Sequence, residues 1–157
     1  MIEPALQVLL DKQAIYELMV RYTDRIDAND PVGAASCFAP DGIGMYGPEC
    51  KGRKAIGDLL GDILLKYQAT SHYLSNVSIK VDGDRATAMS YIQTFHRVKE
   101  TRETMFTYGR WLDDLVRLDG EWLFARREVR RVGSINYALG DFVHPGHPGR
   151  LERGAYS

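Results

Sequence analysis

The alternation of apolar and polar residues divides the chain into a helical first half and a strand-rich second half. Apolar residues recur at three- and four-residue intervals in three segments, which predicts helices over Ala5–Asn29, Pro31–Phe38 and Arg53–Tyr67. Ile43–Tyr46 is predicted as a short strand between the second and third helices. The first helix is expected to face the core with one apolar stripe, formed by Leu6, Leu9, Leu10, Ile15, Leu18, Met19, Tyr22 and Ile26.

From Ser71 onward the period changes to two residues, which is typical of half-buried strands. Asp-Gly pairs at positions 82–83 and 119–120 predict hairpin turns between these strands. The segment 133–157 is rich in Gly and Pro and is predicted to be a C-terminal tail of one domain spanning 1–157. The four long strands are predicted over Ser71–Val81, Arg85–Val98, Met105–Leu118 and Glu121–Val132.

Helices followed by a run of long antiparallel strands predict an α+β fold. We expect a strongly curved antiparallel sheet with three helices from the N-terminal half packed on its concave side. Such an arrangement leaves a conical interior, which is a natural site for a small molecule.

Composition and charge exclude several functional classes. Hydrophobic residues make up 45% and charged residues 26% of the chain, and the net charge is −1, so no basic surface favours nucleic acid. The apolar runs are too short to cross a membrane, and no signal peptide is recognised at the N-terminus. Cys37 and Cys50 lack the spacing of a paired motif, which favours a cytoplasmic protein with reduced thiols. No phosphate-binding loop or metal-ligand cluster is present, so no cofactor or metal is expected.

His72 is the first candidate for chemistry, because it lies within a predicted strand. The alternation places His72, Leu74 and Asn76 on one face of that strand and Tyr73, Val77 and Ile79 on the other. A histidine acts as a general base when a carboxylate holds its second ring nitrogen. Two carboxylates near the end of the first helix are candidate partners: Asp27, and Asp24 from one turn earlier. A cavity histidine without a catalytic role is the alternative.

Four motifs together resemble the SnoaL-like branch of the nuclear transport factor 2-like superfamily. They are A-I-Y-E-L-M-V-R-Y-T-D-R-I-D at 14–27, G-R-K-A-I at 52–56, H-Y-x-x-N at 72–76 and D-G-E-W-L-F-A-R-R at 119–127. The resemblance implies a cone-shaped α+β barrel with a deep apolar cavity. In its dehydrochlorinase type, an aspartate and a histidine at the positions of Asp27 and His72 remove a proton from the substrate, and an arginine matched by Arg127 completes the site. That type has a lysine where this chain has Tyr22.

Arg127 is expected to point inward and to stabilise negative charge. Two alternatives remain open: a buried ion pair of Arg127 with Asp113 or Glu128, and replacement of Arg127 in this role by Arg130.

Aromatic residues are the remaining candidates. Tyr22, Tyr46 and Trp111 are predicted to bind substrate, although aromatic residues more often simply fill a core. His96 is expected to face solvent near the end of its strand. His144 and His147 are interpreted as part of the tail and not as metal ligands, because Pro and Gly between them prevent helical presentation.

These observations favour a cofactor-independent lyase or isomerase acting on a small apolar substrate that is aromatic, alicyclic or steroid-like. The reaction would remove a proton and eliminate water, formaldehyde or another small group. Two other classes remain open: a non-catalytic ligand-binding or dimerisation domain, and the small subunit of an aromatic-ring dioxygenase. We expect a homodimer or homotrimer that associates through the outer face of the sheet, because the strands carry apolar residues on both faces.

Overall fold

The computed structural model describes residues 3–137, which form three helices and six strands. The helices are concentrated in the first half of the chain, and the long strands follow them, as the periodicity predicts. The elements in chain order are α1 Pro4–Asp27, α2 Pro31–Ser36, β1 Phe38–Met45, β2 Glu49–Lys51, α3 Arg53–Leu64, β3 Tyr67–Asp82, β4 Arg85–Val98, β5 Thr104–Leu118 and β6 Glu121–Tyr137.

All six strands belong to one curved sheet with the order β2-β1-β6-β5-β4-β3. β3, β4, β5 and β6 pair antiparallel with their neighbours through successive hairpins. The predicted α+β fold is confirmed, with one difference: β1 pairs with β6 in parallel, so the sheet is not antiparallel throughout. The cone is also open, because β2 and β3 form separate edges of the sheet.

Several boundaries differ from those predicted. β1 begins at Phe38 instead of Ile43, and β2 was not predicted because its short segment lies between Gly and Pro residues that signal turns. α3 ends at Leu64, and β3 already begins at Tyr67. β6 continues to Tyr137, so the first residues of the predicted tail are part of the sheet.

α1 packs against the inner face of the sheet with only part of its apolar stripe. Ile15, Met19 and Tyr22 are buried in the core that α1 shares with the sheet. Leu6 and Leu9, which were expected to face this core, are 48% and 63% exposed, and Leu10 is exposed as well. The first turns of the helix therefore extend past the buried surface, which hydrophobic periodicity alone does not reveal.

A buried carboxylate joins α1 to the last two strands. Asp11 is 5% exposed and accepts hydrogen bonds from Arg117 Nη1 at 2.6 Å and from Trp122 Nε1 at 3.1 Å. Asp11 does not belong to the apolar stripe that was predicted for α1, yet it is buried. Because the carboxylate satisfies both a guanidinium and an indole donor, it fixes the helix relative to β5 and β6.

β-Bulges curve the sheet and change which residues face inward. Between Ser75 and Ser78, β3 contains one more residue than the opposing segment of β4, and Asn76 has a φ of 48°. The extra residue reverses the alternation, so Leu74 and Val77 both pack against the core, although they were predicted on opposite faces. A bulge also separates Phe124 from Arg126 on β6. Phe124, Arg127 and Val129 consequently contribute to the interior.

Within residues 3–137, no helix is both long enough and apolar enough to cross a membrane. The predicted tail histidines, His144 and His147, lie outside the described residues.

Candidate active site

A cavity of about 160 Å³ lies between the helices and the inner face of the sheet. α1, α3 and the strands β3 to β6 all contribute to its wall. Its polar lining includes Tyr22, Tyr46, His72, His96, Thr107 and Arg131. A larger depression of about 470 Å³ runs along the outward face of α1, but residues of this one helix alone line it. The smaller cavity lies against the inner face of the sheet, and its wall includes the titratable side chains of Tyr22, Tyr46, His72 and His96.

Asp27 and His72 meet at the edge of this cavity. The Nδ1 of His72 lies 2.7 Å from Asp27 Oδ1, and the backbone N–H of His72 donates to Asp27 Oδ2 at 2.8 Å. The hydroxyl of Thr70 donates to Asp27 Oδ1 at 2.8 Å. Both carboxylate oxygens are therefore held by β3, and the ring of His72 is left with Nε2 for a molecule in the cavity.

The local fold explains why Asp27 reaches β3. It is the last residue of α1, and Asn29 follows with a φ of 58°, which turns the chain away from the helix axis. Burial of the Asp27 carboxyl raises its pKa, but the hydrogen bonds and charge interaction with His72, together with the Thr70 hydrogen bond, outweigh burial. The net effect holds the pKa of Asp27 below its ordinary value. Asp27 is therefore a carboxylate at neutral pH.

Asp24, the competing candidate, is exposed on the outward face of α1 and lines the surface depression there. It takes no part in the cavity wall. The structure thus brings Asp27, and not Asp24, into contact with His72.

Tyr22 and Tyr46 form a pair of hydroxyls in the cavity wall, with 2.6 Å between their oxygen atoms. Burial raises the pKa of Tyr22 to about 12 and raises the pKa of Tyr46 as well. Both hydroxyls therefore stay protonated at neutral pH. Only one of the two protons is used in the hydrogen bond between them, so the pair retains one O–H donor for another acceptor.

Arg127 lies behind the cavity wall. Its Nε and Nη2 donate to the two carboxylate oxygens of Asp113 at 2.8 and 2.7 Å, and neither side chain is exposed. The guanidinium carbon also lies 4.4 Å from the ring centre of Tyr22 and 4.2 Å from that of Trp111. The ion pair with Asp113 was one of the two alternatives for Arg127 in the sequence analysis. The other cation considered, Arg130, is exposed and pairs with Glu128.

Trp111 lines the cavity and packs beside His72, with 6.1 Å between the ring centres. Its other ring contact is Tyr22, at 5.5 Å and with perpendicular planes. The Trp111 ring therefore contacts both the Tyr22 ring and the His72 imidazole.

His96 is one of the cavity residues that sequence reasoning missed. Its ring centre is 5.6 Å from that of His72 and 4.5 Å from that of Tyr67, and its Nδ1 lies 3.2 Å from the Thr94 hydroxyl. The expectation that His96 faces solvent was wrong. The available signal was its even-numbered position on β4, shared with the buried residues Ser90, Ile92 and Thr94.

No group of three or more His, Cys, Asp or Glu side chains that could hold a metal ion occurs among the described residues.

Comparison with known proteins shows the family of this chain. The model of the SnoaL-like domain matches residues 7–128. The chain belongs to the SnoaL-like family. This membership and the α+β cone confirm the resemblance inferred from the four motifs, including its place in the nuclear transport factor 2-like superfamily.

Individual relatives of this SnoaL-like protein differ in how much is known of them. An uncharacterized protein of Mycobacterium tuberculosis is 29% identical over 127 residues, which cover 74% of this chain and 82% of the relative. A crystal structure from Novosphingobium aromaticivorans, provisionally assigned as a scytalone dehydratase, is 31% identical with a TM-score of 0.77, covering 84% of this chain and 91% of that one. The hexachlorocyclohexane dehydrochlorinase of Novosphingobium barchaimii is 20% identical with a TM-score of 0.82, covering 90% of this chain and 99% of that one. At this identity, the similarity shows a shared fold alone.

Proposed function

We propose that this SnoaL-like protein is a cofactor-independent lyase or isomerase that removes a proton from a small, largely apolar ring compound. The observation that carries the proposal is the contact of 2.7 Å between His72 Nδ1 and Asp27 Oδ1 at the edge of the cavity between the helices and the sheet. A carboxylate in this position fixes the tautomer of the imidazole and stabilises the imidazolium that forms on proton transfer.

His72 is the general base of the proposed reaction. Its Nε2 takes a proton from a carbon atom of the substrate, and the electron pair of the broken C–H bond moves into the substrate. In an elimination, this pair forms a double bond as the leaving group departs from the neighbouring carbon. In an isomerisation, the proton returns at another carbon. Asp27 acts through His72 and holds it in position.

The tyrosine pair stabilises the negative charge that develops on the substrate. The second O–H of the Tyr22–Tyr46 pair is a donor in a wall that is largely apolar, where a hydrogen bond to a charged oxygen is stronger than in water. Arg127 contributes from behind this wall, because its guanidinium lies against the rings of Tyr22 and Trp111.

His96 is our candidate for the acid that elimination of water requires. Loss of hydroxide from a substrate needs an acid that protonates the leaving oxygen, so that water is released. His96 lies in the same cavity as His72, at a ring separation of 5.6 Å. The provisional assignment of the Novosphingobium aromaticivorans relative as a scytalone dehydratase supports elimination of water over other reactions of this type.

The cavity limits the size of the substrate. Its volume of about 160 Å³ is similar to that of an engineered cavity of about 150 Å³ that binds benzene. We therefore expect the part of the substrate that enters the cavity to be a single aromatic or alicyclic ring.

The test is deuterium exchange into a panel of one-ring carbonyl and hydroxy-carbonyl compounds in D₂O, followed by NMR. Exchange or elimination by the wild-type protein should fall by about two to four powers of ten in His72→Gln. An Asp24→Asn variant serves as a control, because Asp24 is exposed on the far face of α1. Binding of a panel compound with no His72-dependent exchange would instead favour a non-catalytic binding domain. Copurification of a large partner subunit would favour the dioxygenase alternative.

A further inference from the structure

Thr107 has a hydroxyl that the fold leaves without a partner. Thr107 is 8% exposed, its side chain lines the cavity, and its Oγ1 makes no hydrogen bond to any other part of residues 3–137. A buried hydroxyl without a partner destabilises the folded protein, so such groups usually serve a ligand or an ordered water. The neighbouring cavity hydroxyl, Thr94, differs because it lies 3.2 Å from the His96 ring nitrogen.

Arg131 supplies an unpaired cation at the same wall. It lines the cavity and is also exposed, which places it at the opening. The described chain gives it no carboxylate partner, whereas Arg117, Arg126, Arg127 and Arg130 all have one. Arg131 pairs in register with Gly109, which is the next inward-facing position of β5 after Thr107.

The sheet register places Thr107 and Arg131 on the far side of the cavity from the base. His72 pairs with Thr94, and Thr94 pairs with Thr107, so the three residues form one row across β3, β4 and β5. Two strand spacings separate His72 from Thr107, which amounts to about 10 Å along the sheet. This spacing is comparable to the length of a six-membered ring with one substituent.

We propose that Thr107 and Arg131 form a carboxylate-binding subsite, and hence that the substrate is a one-ring compound that carries a carboxylate group. The guanidinium and the hydroxyl are both donors, and a carboxylate has acceptor sites for both. The ring then lies in the cavity with a carbon atom facing His72, while the carboxylate stays near the opening. This substrate class rests on the proposed function, but the subsite itself is tested by binding.

The experiment measures the binding of benzoate and of its neutral analogue benzamide by calorimetry. Wild-type protein should bind benzoate about tenfold more tightly than benzamide, and Arg131→Gln should remove this preference. Arg130→Gln is the matched control, because Arg130 is the adjacent arginine, is exposed and already pairs with Glu128. Arg130→Gln should therefore keep the preference for benzoate.

Thr107→Val gives a second readout that a purely structural role would not produce. Replacing the unpaired hydroxyl by a methyl group should raise the melting temperature of the free protein, yet weaken benzoate binding several-fold. Benzamide binding as tightly as benzoate, or equal losses in Arg130→Gln and Arg131→Gln, would overturn the subsite. Equal binding of acetate and benzoate would overturn the one-ring substrate class, since the ring would then contribute nothing.

The two proposals fail in different ways. Benzoate binding that depends on Arg131 supports the subsite even if His72→Gln leaves turnover unchanged, which would reject the proposed reaction alone. Conversely, His72-dependent turnover together with benzoate binding that is insensitive to Arg131 and Thr107 rejects the subsite alone.

Discussion

The imidazole of His72 and the carboxylate of Asp27 are 45 residues apart in the chain and 2.7 Å apart in the fold. α1 ends at the carboxylate, and β3 supplies three hydrogen bonds to it: from the Thr70 hydroxyl, the His72 backbone and the His72 ring. β3 thus carries His72 and also positions the Asp27 carboxylate. We therefore expect His72 and Asp27 to act together in catalysis, so that losing either has nearly the effect of losing both.

The turnover of the double variant, compared with that of each single variant, should show that His72 and Asp27 act together. We expect His72→Gln and Asp27→Asn each to lower turnover by about two to four powers of ten, and the double variant to lose little more than either. Asp27→Asn keeps the shape of the side chain but can impose the wrong tautomer on the ring. The measurement is the rate with any panel compound that the wild-type protein converts.

The control for the His72 and Asp27 variants is Asp24→Asn, which removes a carboxylate from the exposed face of the same helix. It should leave turnover unchanged. Strictly multiplicative losses in the double variant would show that Asp27 acts independently of His72.

The depressed pKa of Asp27 predicts a specific loss of stability in acid. Because the folded-state pKa lies below the ordinary value of 3.8, the carboxylate stabilises the fold fully above that ordinary value. This contribution is lost as the pH falls through the folded-state pKa. Urea unfolding of the wild-type protein and Asp27→Asn between about pH 7 and pH 2 measures it. The stability difference between the two proteins should shrink below about pH 4.

Only the difference in unfolding free energy between the wild-type protein and Asp27→Asn reports on Asp27, because the other carboxylates titrate in both proteins. A stability difference that stays constant down to pH 2 would show that Asp27 has an ordinary pKa in the folded protein.

The sequence was sufficient to predict those parts of the fold that depend on local periodicity. α1, α3 and the four long strands were predicted because their residues repeat at the period of their own structure. The pairing of Asp27 with His72 was also anticipated, because each residue stands at the end or start of a well-predicted element. The family resemblance supplied the choice between Asp24 and Asp27.

Features that depend on distant partners were not predicted. The bulge at Asn76 reverses the alternation of β3, and nothing in the neighbouring residues signals an extra residue against β4. The burial of Asp11 depends on Arg117 and Trp122, which are more than a hundred residues away. The parallel pairing of β1 with β6 likewise joins the beginning of the sheet to its last strand.

Association of identical chains is the next prediction. The outward-facing side of the sheet carries exposed large residues, Tyr73, Tyr91, Tyr108 and Ile135, which are 36–60% exposed. Burial of such side chains at an interface is favourable, and aromatic residues are enriched in interfaces. We therefore expect a homodimer or homotrimer that uses this face. Sedimentation equilibrium at micromolar concentration should give a multiple of the 17.7 kDa chain mass.

A Tyr91→Glu variant should shift this equilibrium toward the monomer, because it places a charge among these side chains. Val32→Glu is the control, since Val32 is an exposed apolar residue of α2, 74% exposed and outside the sheet. A monomeric wild-type protein would contradict the prediction.

The last prediction concerns Arg127 and Asp113, whose ion pair is fully buried behind the cavity wall. Removing one partner leaves an uncompensated charge in the core, whereas replacing both with apolar residues removes the charge altogether. Asp113→Ala should therefore lower the free energy of unfolding by about 3–5 kcal/mol. The double variant Arg127→Met with Asp113→Leu should be considerably more stable than Asp113→Ala, as measured by urea unfolding.

Glu128→Gln is the matched control for stability, because Glu128 belongs to the same strand as Arg127 and its ion pairs with Arg126 and Arg130 are partly accessible to solvent. It should change the unfolding midpoint little. If the double variant folds, its turnover tests the role of Arg127 directly. We expect lower turnover, because the cation against the rings of Tyr22 and Trp111 is lost. Normal turnover would show that Arg127 and Asp113 stabilise the fold alone.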